Sequence, residues 1–117
     1  MLENIALIKE VHEGMPTQEA QSIAKTYLAK IGIENIANNR LTQCNSLEIF
    51  YVMLLRALMH NKDTIMIVTP FFLIKKLSDI GEVLENILLL NSGKTLLILD
   101  NISNQSYYEG KACNIIK

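Results

Sequence analysis

The chain has 117 residues, half of them apolar, with a formal net charge of −1 and a mean hydropathy of +0.21. That length bounds a single domain large enough for a real core. The near-neutral charge, with no basic cluster beyond Lys75-Lys76, argues against nucleic acid, and the longest apolar run, Ile49 to Leu55, is far short of the roughly 20 residues that cross a bilayer.

Leu2 to Val11 reads as a moderately amphipathic helix, broken by Gly14-Met15-Pro16 ahead of Thr17, which is expected to cap the next element. Ala20, Ile23, Ala24, Tyr27, Leu28 and Ile31 then recur at the spacing of one helix face, and Gly32 closes that helix. Asn35 to Gln43 is polar and irregular. Asn45 or Ser46 can cap a third helix, running to about His60, that is apolar nearly all round and therefore must be covered on several sides. It is the expected centre of the fold.

Thr64 to Val68 has the continuous, β-branched character of a strand buried on both faces, and Leu96 to Leu99 repeats it after a helical Ile80 to Leu90 that starts near Ser78 or Asp79. Strand, helix, strand in that order predicts a right-handed crossover and a parallel pair. Asn104 to Gly110 reads as a polar turn, and Ile115 and Ile116 as the beginning of one more strand.

The string Ser92-Gly93-Lys94-Thr95 matches the end of a phosphate-gripping loop. That loop, however, must leave a strand and enter a helix, so that backbone N–H groups and the helix N-terminus converge on the phosphates. Here the order is helix, turn, strand, and Leu88 stands where the motif's first glycine belongs. Gly93 is better read as the left-handed residue that ends a helix, with Lys94 near the negative end of its dipole. Cys44 and Cys113 lie far apart without a CxxC pair, and His12 and His60 lack metal-ligand spacing. No metal and no cofactor is expected. The histidines read as helix-end or surface residues. No basic, apolar and cleavable leader opens the sequence, so the cytoplasm is the expected compartment.

The stretch LTQCNSLEIFYVMLLRALMHNKDTIMIVTPF, Leu41 to Phe71, resembles the central region of an ABC-transporter ATP-binding subunit. In that family a signature of the form LSGGQ opens a helix that ends in an Ala-Arg-Ala-Leu-like segment. A turn, a strand and an acidic pair followed by proline come next. Counting from Leu55-Arg56-Ala57-Leu58, the resemblance places the signature on Cys44, Asn45, Ser46, Leu47 and Glu48, the turn on Asn61-Lys62-Asp63, and the Walker B strand on Thr64 to Val68. The segment before it looks like the helical subdomain of such subunits. Gly93 to Ser103 looks like the strand that delivers the switch histidine, which falls at Asp100.

The resemblance implies an α/β, P-loop-NTPase-like partial fold, with a helical subdomain over 1–60 and half of an ATPase core, a small mainly parallel sheet, over 61–117. It also implies lost chemistry. Val68 offers no carboxylate for Mg²⁺, and Thr69 none to polarise the attacking water. Ser46 and Leu47 replace glycines whose backbone would approach a phosphate. Asp100 would repel that phosphate, and no Walker A sequence occurs. The expected function is a non-catalytic module that docks on a transporter permease or a partner ATPase subunit, peripheral to the inner face of the membrane. The enzyme-class alternative is a piece of a divergent ATPase that binds ATP through an absent N-terminal half.

In the family, Leu2 to Gly14 and the Thr17 to Ile31 helix correspond to the region that receives the permease, although Ile5, Ile8 and Ile23 read as core first. The sheet's edges must pair with each other, with a second copy, or with a chain supplying the missing half. Homo- or hetero-oligomerisation is therefore expected. Phe71, Phe72, Leu73 and Ile74 form the candidate interface, with burial in the monomer core as the competing reading.

Overall fold

The computed structural model describes residues 1–76, 79–90, 93–111 and 113–116, and of Phe72 only the backbone. Helix α1 (Leu2–Glu13) buries Leu2, Ile5, Ala6 and Ile8, and helix α2 (Thr17–Lys30) buries Ala20, Ala24 and Leu28. Those three recur once per turn, and the two alanines carry so little side chain that α1 can pack closely along them. Thr17 is the first residue of α2 rather than its cap, which is Pro16; its hydroxyl instead donates to Glu10 Oε1 at 2.5 Å, tying the two helices across the turn.

At the far end of α2, Gly32 has φ of 71° and donates its N–H to the Ala29 carbonyl, while Ile33 donates to Leu28. This pair of bonds satisfies carbonyls that the helix leaves orphaned, and only glycine takes that φ without strain. The polar stretch that follows is less irregular than its composition implies. It makes two 3₁₀ turns, Glu34–Ile36 and Leu41–Gln43, and Ile36 is fully buried.

Helix α3 (Ser46–Leu58) buries Phe50, Tyr51, Val52, Leu54, Leu55 and Leu58. Each such side chain contributes about 1.5 to 3 kcal/mol by leaving water, so α3 anchors the core. It packs on α1, and Tyr51 accepts a hydrogen bond from Asn86 of helix α4 (Ile80–Leu90) at 2.8 Å. Among described residues α4 begins at Ile80, next to the expected Asp79; Ser78 lies outside them. Its buried Ile80, Val83, Leu84, Ile87 and Leu90 follow a helical stripe.

Strands β1 (Thr64–Val68) and β2 (Thr95–Leu99) pair in parallel, Thr64 opposite Thr95 through Val68 opposite Leu99. The chain is thus a mixed helix and small parallel sheet fold, of α/β type at a coarse level. The expectation of strands buried on both faces needs correction. Ile65, Ile67, Leu96 and Ile98 turn toward the helices, whereas Met66, Val68, Leu97 and Leu99 are 58, 59, 40 and 50% exposed on the other face. A two-residue side-chain period permits this division, because nothing among the described residues forms a second layer.

Two further expectations at the C-terminal end are corrected. The supposed polar turn follows a 3₁₀ turn, Ile102–Asn104, and contains the short helix α5 (Gln105–Tyr108), whose Tyr108 is buried. Ile115 and Ile116 form no strand and are exposed. Among the described residues no helix is long and apolar enough to cross a membrane.

Candidate functional site

The C-terminal ends of β1 and β2 bring together Val68, Thr69 and Asp100. Val68 sits opposite Leu99, and Thr69 donates its N–H to the Leu99 carbonyl at 2.8 Å. Thr69 has φ of 47°, the one positive φ at a non-glycine residue among the described residues. A β-branched residue there costs about 1 to 2 kcal/mol. Val68 presents an aliphatic side chain to the exposed face of the sheet, and neither it nor Thr69 supplies charge.

Asp100 is engaged locally. Its Oδ2 accepts from the Tyr108 hydroxyl at 2.6 Å, and its Oδ1 from Asn104 Nδ2 at 2.9 Å and from the Asn101 backbone at 2.7 Å. Burial pulls the Asp100 carboxyl upward, but these three donors outweigh it and hold the group below its ordinary value. Burial and the same hydrogen bond raise Tyr108 well above a free phenol. The carboxylate therefore ties α5 to the end of β2, and the donors that surround it occupy both of its oxygens.

The start of α3 is likewise occupied by its own side chains. Asn45 Oδ1 accepts from the Glu48 backbone at 2.8 Å, and Glu48 Oε1 accepts from the Asn45 backbone at 2.9 Å, a reciprocal capping box. Asn45, not Ser46, is the cap. Burial pushes the Cys44 thiol up, the Glu48 carboxylate adds to this, and the N-terminal ammonium offsets part of it, which disfavours a reactive thiolate. Leu47 is half-buried against the core.

Of the candidate interface residues, Phe71, Leu73 and Ile74 pack on the core. The Phe71 ring lies 5.8 Å from Tyr107 and 6.0 Å from Tyr108, Ile74 is 1% exposed, and Leu73 is half-buried. The Phe72 side chain lies outside the described residues. Among the described residues, the neighbouring sheet exposes Met66, Val68, Leu97 and Leu99. Gly93 carries the expected left-handed φ, 88°, and is followed by Lys94. The Lys94 Nζ donates to the carbonyls of His60, at 2.7 Å, and Lys62, at the negative end of α3.

Two features were invisible in the sequence. The His12 and His60 rings meet with centroids 4.8 Å apart, which is tertiary proximity of two helix ends far apart in the chain. A groove of about 400 Å³ runs between β1 and one stripe of α3, lined by Phe50, Met53, Leu54 and Ala57 from the helix and by β1, Pro70 and Leu73 opposite. The sequence shows α3 as apolar nearly all round, which does not single out the 50, 53, 54, 57 stripe or what it faces. A separate polar recess of about 420 Å³ lies where the first turn of α1 and Gln21 meet 37–41. Ile5 and Ile8 are buried as expected, while Leu7 and Val11 remain exposed on α1.

Compared with protein-family models, with characterised proteins and with solved structures, the chain matches none.

Proposed function

We propose that this chain is a non-catalytic binding or assembly module, similar in layout to the later half of an ABC ATPase, that docks on a permease or a partner ATPase subunit. The observation that carries this reading is the uncovered face of the parallel sheet. Met66, Val68, Leu97 and Leu99 form a contiguous apolar surface on a kind of sheet whose faces are ordinarily both covered. Leu7 and Val11 on α1 supply a second apolar contact in the segment where the resemblance puts the permease. The positions that the resemblance assigns to phosphate and magnesium binding hold a closed helix cap, an aliphatic side chain and a carboxylate engaged by Tyr108.

Sedimentation at micromolar concentration tests the association, with Leu97→Lys and Val68→Lys expected to weaken it and circular dichroism expected to stay unchanged. A wild-type chain that is strictly monomeric and joins no candidate subunit overturns the reading. Calorimetric titration with Mg-ATP should give no heat; a dissociation constant tighter than about 100 μM, roughly −5.5 kcal/mol, refutes the non-catalytic assignment. The same bare face also favours a second reading, in which an N-terminal half carrying Walker A covers it in a longer protein. The mass of the native protein separates the two.

A further inference from the structure

We infer that the outer edge of β1 is a docking site for an extended, uncharged peptide segment of the partner, added as a third strand above α3. This deepens the binding-module reading and rests on it. In a parallel pair, the N–H and C=O of one residue point to the same side, and successive residues alternate. Thr95 donates to the Asp63 carbonyl and Thr69 donates to that of Leu99, so the odd-numbered residues from Asp63 to Thr69 bond to β2. Thr64, Met66 and Val68 therefore turn their backbone groups outward, and no backbone group of the described residues meets them.

That edge opens onto the groove described above. The groove touches residues of both faces of β1 and none of β2, which places it along the outer edge. Its floor is the Phe50, Met53, Leu54 and Ala57 stripe of α3, and none of its lining residues is charged.

These features select the occupant. A row of unpaired donors and acceptors is matched by another extended backbone, which is the strand-addition mode of recognition. The uncharged lining is complemented by an uncharged segment whose alternate side chains rest on α3. A second copy of this chain does not fit edge to edge. It would bring its own α3 to the same side about 4.8 Å away across the strand pair, where packed helices need about 8 to 10 Å. Pro70, without an N–H, ends the ladder, so the segment is about five residues long. A contact of that size falls well short of the roughly 1,200 Å² of a stable interface, and it exchanges readily.

The test is amide hydrogen exchange and two-dimensional NMR on the full chain, with an acetylated, amidated heptapeptide of alternating valine and threonine as probe. In the free chain, the Thr64, Met66 and Val68 amides should exchange much faster than those of Ile65 and Ile67. Peptide at about ten times its Kd should slow them about tenfold, and the same peptide N-methylated at every residue should do nothing. Met66→Pro, which removes an outward N–H and spares the β1–β2 ladder, should abolish the effect. If that variant misfolds, Met53→Glu serves, since Met53 is already more than half exposed. Leu97→Lys, on the bare face, should leave peptide binding intact. Full protection of the three amides in the free chain, or no response at about 5 mM peptide, near the weak end of specific affinity, overturns the edge site. If association still weakens in Leu97→Lys, the module reading stands without it. Peptide binding accompanied by Mg-ATP binding keeps the edge and refutes the non-catalytic assignment.

Discussion

Helix α3 and strand β1 are both written almost wholly in apolar residues, yet they meet opposite fates. Around α3 the neighbouring helices bury six side chains of the thirteen-residue element and leave Met53 as its exposed large apolar one. Along β1 only Ile65 is buried, and Met66 and Val68 face outward. The difference teaches that apolar composition states a demand for cover without saying who supplies it. For α3 the chain itself does; for the outer face of β1 the described residues do not.

The largest effect that sharpens this contrast is in the core. Leu55→Ala, at a fully buried position of α3, should cost about 2 to 5 kcal/mol in chemical denaturation, the range of a core cavity. Leu99→Ala on the bare face should stay within about 0.5 kcal/mol. A Leu99→Ala cost that approaches the Leu55→Ala cost breaks the comparison and means the sheet face is covered in solution.

The Asp100 cluster is the next most costly to lose. Tyr108→Phe removes a hydrogen bond to a carboxylate and should destabilise by about 1 to 2 kcal/mol. Because the folded carboxyl is held below its ordinary 3.8, its contribution is fully present above that value. It is lost as pH falls through the lower folded pKa. Thermal melts between pH 5 and pH 2, each about a unit or more either side of a carboxylate's titration range, should show a shallower acid decline in Tyr108→Phe than in wild type. An identical decline in both shows that the hydroxyl does not hold Asp100.

At the start of α3, Asn45→Ala should cost about 1 kcal/mol by opening the capping box, with Asn45→Ser recovering most of it. A further small effect has the opposite sign. Thr69→Gly relieves the positive φ and should raise stability by about 0.5 to 1 kcal/mol, after allowing for the added freedom of the unfolded glycine. A loss there indicates that the threonine side chain is held by contacts that outweigh the strain.

Local rules read from the sequence account for much of the architecture. The stripes of α1, α2 and α4, a cap at Asn45 or Ser46, the Gly32 stop, the parallel pairing of β1 with β2 and the order of helix before strand around Gly93 all rest on spacing, turn chemistry and element order. Each depends on neighbours within a few residues or on the chirality of a crossover, so a linear pattern carries it. The candidate site was only partly legible. Val68, Thr69 and Asp100 meet because parallel strands end together, a consequence of order. That Asp100 binds Tyr108, that Lys94 reaches the end of α3, and that His12 meets His60 depends on which side chains tertiary packing brings within about 3 to 5 Å. The same holds for the sheet. A run such as Thr64 to Val68 is equally apolar whether one layer of helices or two enclose it, and only tertiary packing decided that, among the described residues, one face of β1 stays uncovered.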